Sequence, residues 1–87
     1  MPMYNPPHPG EILGEDVIKA LGLSVTTVAS RLGISRKVLS QIIHGHAPIT
    51  AETAIKLERV FDRPDAGQWL RLQMAYDLFK ARQKLAA

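Results

Sequence analysis

The 87-residue chain predicts an all-α fold of five helices, the last of them long, and three observations carry that expectation. Apolar residues recur three and four apart and never alternate over a sustained stretch, so the period is helical rather than strand-like. Each periodic stretch opens on a capping residue or a proline, and most close on a glycine or a short turn, which divides the chain into five pieces. There is no cysteine, so no disulfide framework or thiolate-held metal supports the fold, and one modest core has to suffice. An apolar content of 46% is enough to build it.

Residues 1–8 hold three prolines, Pro2, Pro6 and Pro7, and read as an extended arm. Pro9-Gly10-Glu11 then opens the first helix, since proline suits the first turn and Glu11 complements the helix dipole. Leu13, Val17, Ala20 and Leu21 form its expected apolar face and Gly22 ends it. Gly14 inside it is a weak spot, costing about 1 kcal/mol relative to Ala. Ser24 caps the second helix, Val25–Leu32, and Gly33 breaks it. Ser35 caps the third, Arg36–His44, and Gly45 stops it. Ala47-Pro48-Ile49 is a loop. Thr50 caps the fourth, Ala51–Phe61, whose expected core face is Ala54, Ile55, Leu57, Val60 and Phe61. After the short Asp62-Arg63-Pro64 connection, Asp65 and Gln68 have the spacing of a capping box, and a long helix follows from Ala66 to about Lys84. The expected organisation is an arm (1–8), a central unit (9–64) and a closing helix (65–87).

Val25 to Gly45 works as one unit. Val28, Ala29 and Leu32 point inward from its first helix, Leu39 and Ile42 from its second. Ala29 is small where two helices cross, Gly33 permits a sharp turn, and Ile34 plugs the underside of that turn. This is the pattern of a helix–turn–helix, whose second helix enters the major groove of DNA. With Leu39 and Ile42 buried, Arg36, Lys37, Ser40, Gln41 and His44 lie on the outward face. Arg and Lys suit guanine O6/N7, and Gln suits adenine N6/N7. Arg36, Lys37 and Gln41 are therefore expected to read bases, with Ser40 as a shorter contact. Thr26, Ser35 and His44 are placed for phosphates. Charge supports this: Lys19, Arg31, Arg36 and Lys37 meet no Asp or Glu between Val17 and Ala51, while all eight acids lie outside that stretch.

Other functions find little footing. His44-Gly45-His46, without cysteine or carboxylate nearby, is a poor ligand set, so no metal is expected. Glu15 and Asp16 point about 100° apart on a helix and form no catalytic pair. No nucleophile–base pair or glycine-rich phosphate loop is present, so neither catalytic residues nor cofactors are expected. The N-terminus lacks the basic and apolar regions of a signal peptide, and no apolar run is long enough to span a bilayer; a cytoplasmic protein without membrane contact is the expectation.

The Val25–Gly45 unit resembles the Cro/phage-repressor helix–turn–helix, and the whole chain from His8 to about Arg82 resembles the HigA/VapI group of plasmid-maintenance antitoxins. The carrying residues are His8-Pro9-Gly10-Glu11-Ile12-Leu13, Leu21-Gly22-Leu23-Ser24, Leu32-Gly33-Ile34-Ser35-Arg36, Ile49-Thr50 with Ala54 and Leu57, and Trp69-Leu70-Arg71-Leu72-Gln73 with Tyr76-Asp77-Leu78. The resemblance implies a five-helix lambda-repressor-like DNA-binding domain with a long C-terminal helix. It also implies partners: a palindromic double-stranded DNA operator, and a small basic toxin of the HigB/RelE type that cleaves mRNA. Ser35, Arg36, Lys37, Ser40 and Gln41 would face the DNA. Val25 departs from the pattern, standing where related repressors often carry a phosphate-binding Gln.

The closing helix carries two apolar stripes. Trp69, Leu72, Tyr76 and Phe79 form one; Leu70, Met74, Leu78, Ala81 and Leu85 form the other. One stripe can cover the helix–turn–helix, and the other is then expected to make a two-fold homodimer. The competing readings are a stand-alone repressor without a toxin, and an interaction module that kept the fold but lost DNA.

Overall fold

The computed structural model describes residues 5–86. Five helical stretches follow in chain order, with no strand among the described residues. The first, α1, starts as Pro9–Ile12 and runs on without a break as a π-helical stretch, Leu13–Lys19. Then come α2 (Val25–Leu32), α3 (Arg36–Ile43), α4 (Ala51–Phe61) and α5 (Ala66–Ala86). Expected residues 1–4 of the arm lie outside the described residues; of the remainder, Pro6 and His8 are buried.

The winding of α1 corrects its expected apolar face. An α-helix would bring Val17 and Leu21 over Leu13. A π turn bonds five residues apart, so Ile18 is brought beneath Leu13 instead. Leu13 and Ile18 are buried and Val17 is half-buried, whereas Ala20 is exposed and Leu21 is 60% exposed. Gly14 also has a purpose hidden in the sequence: a Cβ there would sit 2.9 Å from Ile43 Cγ2.

The three central helices begin at their expected caps. Ser24, Ser35 and Thr50 each accept a hydrogen bond from the amide three residues on, those of Thr27, Val38 and Thr53. The third helix ends at Ile43, and His44 is its C-cap. In α4, Ala54 and Leu57 are buried and Val60 and Phe61 pack on the core, but Ile55 is exposed, which corrects its assignment to the core face. Two carboxylates satisfy the start of α5: Asp65 Oδ1 accepts from the Gln68 amide at 2.8 Å and Glu58 Oε2 from the Ala66 amide at 2.9 Å. The Gln68 side chain binds Arg71, so it does not close the reciprocal half of a capping box.

One core unites all five helices: Leu13 and Ile18 from α1, Val28, Ala29 and Leu32 from α2, Leu39 and Ile42 from α3, Ala54 and Leu57 from α4, Trp69 from α5, with Ile49 from the loop. Of the first stripe of α5, Trp69 is fully buried while Leu72, Tyr76 and Phe79 are half-buried. In the second stripe Leu70 packs on the core, and Met74, Leu78, Ala81 and Leu85 face outward. No described helix is long and apolar enough to cross a membrane.

Candidate nucleic-acid interface

The α2–α3 unit is a rigid angle bracket. Gly33 takes a left-handed conformation, φ 72°, open to a glycine without strain. The Gly33 amide donates to the Ser30 carbonyl at 3.2 Å and the Ile34 amide to the Ala29 carbonyl at 3.1 Å. This pair of bonds is a Schellman stop, and Ile34 packs onto the core beneath it. Val25, at the position where related repressors often hold a Gln, is half-buried against the same core. Its side chain is thus structural.

Helix α3 starts at Ser35, whose Oγ accepts from the Val38 amide at 3.1 Å. Thr26, Ser35, Arg36, Lys37, Gln41 and His44 are all exposed, and Ser40 is half-buried. His44 Nδ1 donates to the Ser40 carbonyl at 2.8 Å and lies 3.3 Å from Ser40 Oγ. A carbonyl can only accept, so the proton sits on Nδ1 and Nε2 is left as a free acceptor in the neutral ring. Ser40 and His44 thereby form one local unit at the end of the helix.

Charge is narrower than the sequence suggests. The two ion pairs among the described residues are Lys19 with Glu15 and Lys56 with Glu52, both at 3.4 Å. Lys19 therefore belongs to α1, and the uncompensated positive charge near the bracket is that of Arg31, Arg36 and Lys37.

The far end of α3 is held from both ends of the chain, a feature that residue patterning did not reveal. Gly10 lies so close to the Ile42 carbonyl that a Cβ would overlap it. His8 packs beside Gly45, and its Nδ1 accepts from the Gly10 amide at 2.9 Å, capping α1. The His8 ring meets Tyr76 of α5 edge-on, centroids 4.8 Å apart. One helical turn earlier, the buried Gln73 Oε1 accepts from the Ile49 amide at 2.8 Å, and Gln73 Nε2 donates to Asp77 at 2.9 Å. The signal that could have located this clamp is the pair of strings His8-Pro9-Gly10 and Gln73…Tyr76-Asp77, whose residue types were recognisable though their contact was not.

A model of the helix–turn–helix family matches residues 15–67. Virulence-associated protein A of Dichelobacter nodosus is 39% identical over 84 residues, which cover 97% of this chain and 82% of that protein. Among solved structures, an addiction-module antidote protein of a HigA family from Coxiella burnetii is 37% identical, with a TM-score of 0.85 over 93% of this chain and 87% of that one. The Pseudomonas aeruginosa antitoxin HigA, solved with the higBA promoter, is 34% identical, with a TM-score of 0.86 over 91% and 85%.

Proposed function

This chain belongs to the helix–turn–helix family, and on that premise we propose that it is a sequence-specific DNA-binding antitoxin that represses its own operon as a dimer and neutralises an mRNA-cleaving toxin. The observation that carries the DNA-binding part is the presentation of α3: capped at its start, clamped at its end, and exposing Arg36, Lys37 and Gln41. Arg36, Lys37 and Gln41 read base edges, with Ser40 beside them, while Thr26 and Ser35 meet phosphates, and His44 does so through Nε2 when the ring carries a second proton there. Residues 9–64 act as the DNA-binding unit and the helix of 65–87 joins two copies. The likeness to antitoxin HigA, solved with its promoter, supports the antitoxin reading.

Three experiments test this. Binding of a selected operator duplex is expected to weaken linearly in a log–log plot as salt rises. Arg36→Ala is expected to cost about 1–3 kcal/mol and to relax preference at one base pair. Unchanged affinity and preference in that variant would remove Arg36 from the base-reading set. For the toxin, co-expression with the adjacent open reading frame is expected to yield a complex with a small basic protein whose toxicity is relieved. A stand-alone repressor would bind the operator equally well and capture no such protein.

A further inference from the structure

Val38 stands on α3 at the margin between buried Ile42, about 40° away around the helix, and the polar residues assigned to DNA. It is 42% exposed. It is not one of the buried core residues. An exposed valine is also a poor choice for helix propensity, because its branched Cβ loses rotamer freedom against the preceding turn. Around the helix axis it lies about 60° from Gln41 and about 100° from Lys37. It therefore borders the outward face as an apolar edge beside hydrogen-bonding groups. Its backbone is fixed by the Ser35 cap on its own amide, and its side chain is stiff at χ1.

The major groove offers one apolar feature to such an edge, the C5-methyl of thymine. We propose that Val38 is a specificity-determining residue that packs on a thymine methyl in the bound duplex, beside the bases read by Lys37 and Gln41. This rests on the DNA-reading function proposed above. A preorganised, stiff apolar group loses little freedom on contact, so removing the methyl costs binding directly.

The test uses the full chain and a duplex enriched by it from a randomised pool. Each thymine of that duplex is replaced in turn by uracil, which removes only the methyl. One position is expected to weaken wild-type binding about three- to five-fold, the scale of one buried methyl group. Val38→Ala, which keeps only the Cβ, is expected to narrow the difference between the thymine and uracil duplexes at that position. A repeat selection with Val38→Ser is expected to lose thymine there and keep the remaining consensus. If Val38→Ala keeps the wild-type ratio, or the Val38→Ser consensus is unchanged, the assignment is overturned while DNA reading stands. If no sequence is enriched by the wild type, the assignment and DNA reading fall together.

Discussion

His8 has to be neutral to hold its place. Its Nδ1 accepts from the Gly10 amide, and a proton on that nitrogen would abolish the cap. Burial pushes its pKa below the ordinary histidine value of 6.5, and the opposing pull of Asp77 is the smaller effect. As pH falls, the unfolded chain therefore takes up this proton before the folded one. The His8 contribution to stability is full above the unfolded value and is lost as pH falls from there through the folded value. His8→Asn keeps an acceptor for the Gly10 amide and removes the titration. Denaturant midpoints measured from about pH 8 to about pH 5 should fall less steeply for this variant than for the wild type. Equal acid slopes would exclude His8 as the source. Gly10 and Gly14 make a second comparison. A Cβ at Gly10 meets the Ile42 backbone, whereas one at Gly14 meets only the Ile43 side chain. Gly10→Ala is expected to cost about 1–3 kcal/mol or more. Gly14→Ala should cost less, since a gain of up to about 1 kcal/mol in helix propensity offsets the methyl contact. The reverse order in chemical denaturation would contradict this packing.

At the scale of elements, α5 is anchored through Trp69, which is fully buried while its Nε1–H finds no acceptor among the described residues. Trp69→Ala is expected to cost about 3–5 kcal/mol. Trp69→Phe should stay within about 1.5 kcal/mol of wild type, because relief of an unpaired donor offsets part of the lost volume. A Phe variant as damaged as the Ala variant would overturn this ranking. What the sequence revealed follows from locality. The ends of α2 and α4 were legible, because Ser24, Gly33 and Thr50 act on residues within one turn of themselves. The inward turn of Ile18 was not, because a π turn changes the period that pattern reading assumes. The exposed position of Ile55 was missed because apolar type stands in for burial only on average. Gln73 was missed because the amide it satisfies is 24 residues away.

Across the whole molecule, the described chain measures 41 × 23 × 23 Å, and its radius of gyration of 13.4 Å exceeds the roughly 12 Å of a compact chain of this length. The excess is matched by α5, whose 21 residues span about 31 Å. Its second half leaves the body, with Leu78 45% and Leu85 82% exposed. If Met74, Leu78, Ala81 and Leu85 join two copies as proposed, Leu78→Lys should give a monomer by sedimentation at about tens of micromolar, since an unpaired charge at an apolar contact is costly. Two recognition helices about 34 Å apart would then no longer bind together, and operator affinity should drop. An unchanged dimer mass would remove this stripe from the interface. The clamp around α3 carries a different consequence, one of timing. The recognition helix is encoded in the middle of the chain, yet Gln73 and Tyr76, which meet the Ile49 amide and the His8 ring beside its far end, leave the ribosome only after it. A nascent chain interrupted before Gln73 has the letters of a DNA reader without the finished instrument. The contacts that border the far end of α3 are thus the last to form, after the helix itself has been made.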